Sequence, residues 1–263
     1  MTRRLPAVER LTLVGRRPVR SLHHFPLLVV QAPEPALVVL VPGLGLPGYT
    51  LPTAQAIAAR GVECAVLDVP GFGSPRPWSA RPHISSVGTV AADWAHQVAE
   101  GRPVVVLGHS TGAQAALTTV LGLQDRRRGI ALVMAGPTFR PEHRRVGRLL
   151  LATPFAYRDD SLREIDVREV VRARLALARL VHSGMRDDPD ARLTGLAAPL
   201  TTTAGVHDSY APPSWLNALA ASATHSARVR TVVLHGSHNN LFTHPHEVAD
   251  TVLLALEDAR GWA

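Results

Sequence analysis

A serine enclosed by two glycines is the residue of this sequence best suited to covalent chemistry. The segment Gly108–Gly112 follows the pattern G-x-S-x-G, with Ser110 at its centre. The apolar run Val104–Leu107 precedes it, and a helix-forming run that begins at Ala113 follows it. A sharp turn between strand and helix lifts a serine hydroxyl above a sheet, and flanking glycines let neighbouring backbone pass close by. The pattern therefore predicts a nucleophilic serine.

A nucleophilic serine needs a base, and the base needs an acid that holds its tautomer. Asp208 lies just beyond a strand-like run, where open α/β sheets gather functional groups, and is the predicted acid. The alternative is that Asp208 only forms a turn or caps a helix. His238 lies in the loop after the last predicted strand and is the predicted base. His235, at the end of that strand, is the alternative base.

Attack by serine on a carbonyl creates an oxyanion, which two backbone N–H groups must stabilise. Thr111 follows the nucleophile and is the first predicted donor. The glycine-rich loop Pro42–Gly48 follows the apolar run Ala36–Val41, and Leu44 in that loop is the second predicted donor. Only the backbone of these two residues is needed for this role.

The same glycine-rich loop also matches a dinucleotide-binding pattern. Gly43, Gly45 and Gly48 spell G-x-G-x-x-G, and Asp68 closes the next predicted strand. That pattern needs its third glycine inside the first turns of a helix, whereas Pro47 and the residues after Gly48 delay the helix. The loop is therefore more typical of an oxyanion site than of a nicotinamide or flavin site.

Histidine and cysteine do not follow any known metal-binding spacing. The chain has 13 histidines but one cysteine, and it lacks H-E-x-x-H, so we predict no metal site. Cys64 lies in a strand-like run and is expected to fill the core. A single cysteine cannot form an internal disulfide.

The elements around these residues alternate between short β-branched runs and helical patterns, which predicts an α/β fold with helices on both faces of a mostly parallel sheet. The helical patterns lie near 51–60, 84–99, 111–123, 212–222 and 244–258. The predicted strands are Leu27–Val30, Ala36–Val41, Val62–Leu67, Val104–Leu107, Ile130–Met134, Thr201–Val206 and Val229–His235.

The stretch 137–198 separates two predicted strands by far more than one crossover helix needs. We therefore predict a helical cap at 137–198, inserted into a core domain formed by 1–136 and 199–263. Inside the cap, Ser161 and Glu164 resemble a capping box. Apolar residues then recur at helical spacing as far as Gly184, where the predicted helix stops.

Charge and hydropathy exclude several classes of partner. The formal charge is +7, but the 28 basic residues, all arginine, are spread along the chain, so we expect no nucleic acid partner. No apolar run is long enough to span a bilayer, so we expect no membrane association and a cytoplasmic location. The oligomeric state is left open.

Taken together, the motifs resemble the α/β-hydrolase superfamily over nearly the whole chain. The resemblance implies an eight-stranded, mostly parallel sheet, a cap after the sixth strand, the triad Ser110, Asp208 and His238, and chemistry without a cofactor. Pro42 departs from the family pattern, because many members carry histidine there, and this raises the question of how the loop is braced. The matching segments are Pro42–Gly45, Asp68–Gly73, Gly108–Gly112, Gly205–Asp208 and Gly236–His238.

The superfamily hosts several reactions, so the resemblance does not name the bond that is cleaved. We expect a serine esterase that hydrolyses a carboxylic ester or lactone of a small, largely apolar molecule. The alternatives are a carbon–carbon bond hydrolase of the β-diketone type with the same triad, and a non-hydrolytic protein with this fold. Aromatic residues of the cap and loops could line an acyl pocket or only hold the cap in place: Tyr49, Phe72, Trp78, Phe139, Phe155 and Tyr157.

Overall fold

The computed structural model describes residues 7–26, 35–160 and 166–262, which contain one eight-stranded sheet. The strand order is β1-β2-β4-β3-β5-β6-β7-β8. Strands β3 to β8 pair in parallel, whereas β1 and β2 form an antiparallel edge on β4. The strands are β1 Val8–Val14, β2 Arg17–His24, β3 Leu37–Val41, β4 Glu63–Asp68, β5 Val104–His109, β6 Ile130–Ala135, β7 Leu200–Gly205 and β8 Val229–Leu234.

Ten α-helices are found in the described residues, and the five predicted helical segments are confirmed as α1, α2, α3, α8 and α10. None of the described helices combines the length and the apolar character that crossing a bilayer requires. The helices are α1 Leu51–Ala58, α2 Ile84–Ala99, α3 Thr111–Gln124, α4 Val146–Ala156, α5 Val167–Ala173, α6 Leu175–Met185, α7 Pro189–Leu193, α8 Pro213–Ser222, α9 Asn240–Thr243 and α10 Pro245–Gly261.

The predicted strands β3 to β8 are confirmed; β3 to β7 are buried on both faces over nearly their whole length, whereas β8 alternates between exposed and partly buried residues. In β3, Leu37 and Val39 pack on the side of α2 and α3, whereas Val38 and Leu40 pack on the side of α1 and α10. Cys64 is fully buried in the second of these cores, as expected of a core residue. The sheet is therefore a rigid layer whose carboxyl edge can hold loops in fixed positions.

The edge strands β1 and β2 were not predicted from the sequence. Strand β1 is exposed over most of its length, and charged residues interrupt the apolar alternation of both strands, so their pattern is weak. One of the seven predicted strands, Leu27–Val30, lies outside the described residues.

Four helices, α4 to α7, lie between β6 and β7, in the stretch expected to form the cap. The prediction of one continuous helix up to Gly184 is wrong. The backbone breaks at Arg174, which has a φ of 43° and separates α5 from α6, and Gly184 lies inside α6. Asp166 caps α5 by accepting a hydrogen bond from the N–H of Arg168, whereas the expected capping box at 161–164 lies outside the described residues.

The close packing of α2 on α3 leads to a stability prediction. A Cβ atom on Gly88 would lie 2.6 Å from the carbonyl oxygen of Ala115, so Gly88→Ala should lower the free energy of unfolding by roughly 1–3 kcal/mol. A Cβ atom on Gly122 in the same interface would lie 3.4 Å from Ala92 Cβ, an ordinary contact. Gly122→Ala is the matched control and should be neutral or stabilising by up to about 1 kcal/mol. Urea unfolding measures both, and equal stabilities would contradict the packing.

Candidate active site

The turn from β5 into α3 holds Ser110 in a strained conformation. Ser110 has a φ of 56°, a value that residues with a side chain rarely adopt, and it is 8% exposed. A Cβ atom on Gly108 would collide with the carbonyl oxygen of Gly112, and one on Gly112 would collide with that of Val41. Only glycine fits these two positions, so the G-x-S-x-G sequence is required by the close approach of strand, turn and helix.

Asp208 and His238 form a buried hydrogen-bonded pair. The distance between Asp208 Oδ2 and His238 Nδ1 is 2.8 Å, and both side chains are inaccessible to solvent. The other oxygen, Oδ1, accepts hydrogen bonds from the N–H groups of Tyr210 and Ala211 at 2.9 and 3.2 Å. Because an ionised carboxylate only accepts hydrogen bonds, Nδ1 carries the proton and Nε2 is left with a lone pair. This is the tautomer that a general base needs.

The hydroxyl of Ser110 is directed to Thr138 rather than to His238. The two oxygens, Ser110 Oγ and Thr138 Oγ1, are 2.9 Å apart. His238 Nε2 is buried and has no hydrogen-bond partner among the described residues. Transfer of the serine proton to His238 therefore requires the Ser110 side chain to turn away from Thr138, a tightening that often accompanies substrate binding.

The two predicted oxyanion donors lie next to each other, and one of them is engaged. The N–H of Leu44 donates to Thr111 Oγ1 at 2.6 Å. Thr111 is the first residue of α3, so its own N–H has no acceptor within the helix. An oxyanion would have to take the place of the Thr111 hydroxyl at Leu44 in order to receive both hydrogen bonds.

A chain of hydrogen bonds connects the oxyanion loop to the backbone of His238. The N–H of Gly43 donates to Tyr49 Oη at 2.7 Å. Tyr49 Oη lies 2.6 Å from His109 Nδ1, and His109 Nε2 lies 2.8 Å from the carbonyl oxygen of His238. A carbonyl only accepts, so Nε2 of His109 is the donor. In the neutral ring Nδ1 must then accept, which makes Tyr49 its donor.

Burial keeps both members of this chain uncharged. Desolvation is the main cause that lowers the pKa of His109 to about 3, and it also raises the pKa of Tyr49. The loop that starts at Pro42 is therefore braced by a tyrosine and a neutral histidine. This answers the question raised by the absence of a histidine at position 42, and it gives His109 a function that its sequence context did not reveal.

A cavity of about 260 Å³ lies in front of Ser110. Of the six aromatic residues predicted for the substrate pocket, Tyr49 and Tyr157 line it. The ring of Tyr157 also packs edge-on against His238, with ring centroids 5.2 Å apart. Apolar side chains complete much of the wall, namely Leu44, Leu46, Val170 and Leu177.

The other four aromatic candidates are not among the residues that line this cavity. Phe72 is fully buried and packs against α5 and α6, and Phe139 is 2% exposed. Trp78 lines a separate open groove, and Phe155 is 65% exposed. The sequence showed that these residues were apolar but not which way the loops and the cap would turn them.

The two alternative site residues raised by the sequence, His235 and Asp68, have other hydrogen-bond partners in the structure. His235 Nδ1 lies 2.9 Å from Glu247 Oε1, and the side chain of His235 is largely exposed. Asp68 accepts hydrogen bonds from Arg20 and from the N–H of Gly73, so its carboxylate holds the loop after β4 together. This is not the free carboxylate that a ribose would need.

Three residues near the site were missed by the sequence interpretation. Thr138 follows β6 closely, and its place at the carboxyl edge of a parallel strand was the available signal. The ring of Tyr210 packs edge-on against His238 at 5.0 Å, and Glu169 from α5 lines the cavity. Nothing local in the sequence marked either of these two: Tyr210 comes from the loop after β7, and the fold of the cap brings Glu169 to the cavity.

Comparison of the sequence with known proteins identifies its family and one related protein. A model of the alpha/beta hydrolase family matches residues 38–251. A stretch of 116 residues, 44% of the chain, is 34% identical to the spectinabilin polyketide synthase system protein NorC of Streptomyces orinoci and spans 5% of that protein's length.

Similar solved structures share the fold at low identity. The CarC enzyme, a serine hydrolase involved in carbazole degradation, aligns with a TM-score of 0.71 and 17% identity over 95% of this chain and 99% of its own. The enol-lactonase from Burkholderia xenovorans LB400 aligns with a TM-score of 0.64 and 16% identity over 94% and 100% of the two chains. Identities this low indicate a common architecture, so the reaction must be argued from the site.

The hydrogen bonds from Tyr49 to Gly43 and to His109 form a brace for the loop after β3, and mutation can test it. Tyr49→Phe removes the hydroxyl that joins Gly43 to His109, so the oxyanion loop should lose its fixed position. We expect Ser110 to react roughly tenfold more slowly with a fluorophosphonate probe, which corresponds to the loss of one or two hydrogen bonds. Thr89→Val is the control, since it removes an exposed hydroxyl that donates to the carbonyl of Ser85 within α2, away from the site. Equal rates for the two variants would contradict the brace.

The buried His109 ring makes the stability of the protein depend on pH. Folded His109 stays neutral down to a pKa of about 3, whereas unfolded histidine binds a proton below about 6.5. The unfolded state therefore binds more protons in this range. The neutral His109 contributes stability above pH 6.5, and this contribution falls as the pH drops, by up to about 1.4 kcal/mol per pH unit. The stability advantage of wild type over His109→Asn in urea unfolding should shrink between pH 6.5 and 4.5, and a constant difference would contradict a buried neutral ring.

Proposed function

Because the chain belongs to the alpha/beta hydrolase family, we propose that it is a serine hydrolase that cleaves a carboxylic ester or lactone through an acyl-enzyme. The observation that supports this reaction best is the Asp208–His238 pair, whose 2.8 Å hydrogen bond leaves Nε2 without a partner among the described residues. A buried imidazole with a free lone pair near a strained serine suits general-base catalysis.

In the proposed mechanism, Ser110 Oγ attacks the carbonyl carbon while His238 Nε2 takes the hydroxyl proton. The carbonyl electrons move onto oxygen, and the N–H groups of Leu44 and Thr111 stabilise the resulting charge. Collapse of this intermediate breaks the bond to the alcohol oxygen, which receives the proton from His238. Water then repeats the sequence on the acyl-enzyme and releases the acid and the free serine.

The roles of the surrounding residues follow from this mechanism. Asp208 stabilises the imidazolium that forms when His238 takes the proton. The N–H of His238 donates to the carbonyl of Ala156 at 2.8 Å, while the carbonyl of His238 accepts from His109. These two hydrogen bonds hold the backbone of His238 from both sides. They limit the motion of its loop and so help to keep the His238 ring in its catalytic position.

The size and lining of the cavity support a small substrate. Its volume of about 260 Å³ is close to the lower end of ligand pockets in general. Leucine, valine and tyrosine side chains provide much of the wall. We therefore propose a short, largely apolar acyl group as the part of the substrate that this cavity binds.

Labelling with a fluorophosphonate tests the proposed nucleophile. Wild type should be labelled and should hydrolyse short p-nitrophenyl acyl esters, whereas Ser110→Ala should lose both properties. Ser222→Ala is the matched control, because the Ser222 hydroxyl only donates to the carbonyl of Ala218 within α8. Labelling of Ser110→Ala as strongly as of wild type would refute the mechanism. Turnover of a β-diketone without turnover of any ester would instead favour carbon–carbon bond cleavage.

A further inference from the structure

The charge of the cavity is opposite to that of the protein. The chain has a formal charge of +7 and 28 arginines. Among the described residues that line the cavity in front of Ser110, however, the charged side chains are Asp166 and Glu169, and there is no arginine. Its histidine, His109, is neutral because burial lowers its pKa to about 3. The described lining of the cavity therefore offers negative charge and includes no cation to balance it.

Glu169 is the buried member of this acidic pair. It is 7% exposed, whereas Asp166 is exposed and caps α5. Both carboxylate oxygens of Glu169 lie 3.2 Å from the same N–H group, that of Gly48. A carboxylate can accept about four hydrogen bonds, so one shared N–H leaves most of its capacity unused in the described residues. Burying a carboxylate with so little compensation is costly unless a ligand supplies further donors.

Among the described residues, the charged groups around Glu169 compensate its charge only in part. On its own helix, Asp166 is also acidic, and Arg172 donates to the carbonyl of Gly73. From the sheet, Asp68 adds negative charge, while Arg20 is bound to Asp68 and Glu9. Desolvation is the largest cause of the shift that raises the pKa of Glu169 to about 7; Asp166 and Asp68 raise it further, against the opposing effects of the Gly48 N–H and of Arg20. An ammonium group in the cavity would therefore gain a carboxylate whose charge is only partly compensated by the described residues.

We propose that Glu169 determines substrate specificity by binding an ammonium group on the acyl part of the substrate. This inference rests on the proposed ester hydrolysis at Ser110. Glu169 is joined through Gly48 to the loop that carries Leu44, the predicted donor to the acyl carbonyl oxygen. An amine on a short acyl chain can therefore reach Glu169 while its carbonyl lies at Ser110. The preferred substrates are small esters of amino acids whose amine is protonated.

Paired substrates test this specificity. The probes are p-nitrophenyl esters of ω-amino acids, each compared with the methyl-terminated acyl ester of the same length. We expect wild type to prefer the ammonium ester by about tenfold in kcat/KM, since a buried charged hydrogen bond contributes more than 1 kcal/mol. Glu169→Gln keeps the size and an oxygen acceptor for Gly48 but removes the charge, so it should lower the ratio about tenfold. Glu257→Gln is the matched control, because Glu257 is an exposed carboxylate of α10 that does not line the cavity, and it should change the ratio by less than twofold.

The pH dependence of the ratio separates binding of the cation from a purely structural role. Both substrates use the same Ser110 and His238, so ionisation of the catalytic groups cancels in the ratio of their kcat/KM values. In wild type the preference for the ammonium ester should rise with pH through about 7, because Glu169 is ionised above its pKa. In Glu169→Gln the ratio should be flat.

The outcomes distinguish this inference from the proposed function. If Ser110 is labelled by the fluorophosphonate and both esters are hydrolysed at similar rates at every pH, the specificity proposal is overturned while the hydrolase proposal stands. A preference that survives Glu169→Gln has the same meaning. Absence of both labelling and turnover would overturn the proposed function together with this inference.

Discussion

The geometry of the site depends on the buried hydrogen-bond chain that runs from Gly43 through Tyr49 and His109 to the carbonyl of His238. This chain joins the loop after β3, the turn after β5 and the loop after β8, which are far apart in sequence. Its direction follows from one fact, that a carbonyl can only accept, so every proton in it has one allowed position. The hydrogen bonds keep this direction only while the His109 ring is neutral, and burial of the ring keeps it neutral. His109, which lies beside the proposed nucleophile Ser110, thus connects the proposed base His238 to the loop after β3.

A second constraint acts at the nucleophile itself. The strained backbone of Ser110 is maintained because strand, turn and helix approach too closely for any side chain at Gly108 or Gly112. The central strands of the sheet, such as β5 and β6, are buried on both faces and supply the rigidity that such strain requires. The cap contributes as well, because the carbonyl of Ala156 accepts from the N–H of His238. The proposed nucleophile, the proposed base and helix α4 are therefore coupled through backbone contacts rather than through side chains alone.

The net charge of the chain and the charge of the described cavity lining have opposite signs. The chain is arginine-rich, but the described cavity next to Ser110 contains carboxylates instead. In a region of low dielectric, one buried carboxylate such as Glu169 affects ligand choice more than many solvated arginines do, since water and salt screen the latter. Net charge is therefore a poor guide to the substrate, whereas the residues that line the cavity are a direct one.

The sequence alone determined the α/β class, the strands β3 to β8 and the turn at Ser110, because runs of apolar and β-branched residues and paired glycines encode these features locally. It also proposed Asp208 and His238, since both follow directly after strands of one parallel sheet. The exposed edge strands, the break at Arg174 and the direction of the aromatic side chains were decided by the tertiary structure, because they depend on which surfaces the cap and the loops cover. The brace through His109 and the acidic cavity at Glu169 also arise only in three dimensions. Their partners come from separate parts of the chain, and no local pattern records which of them will meet.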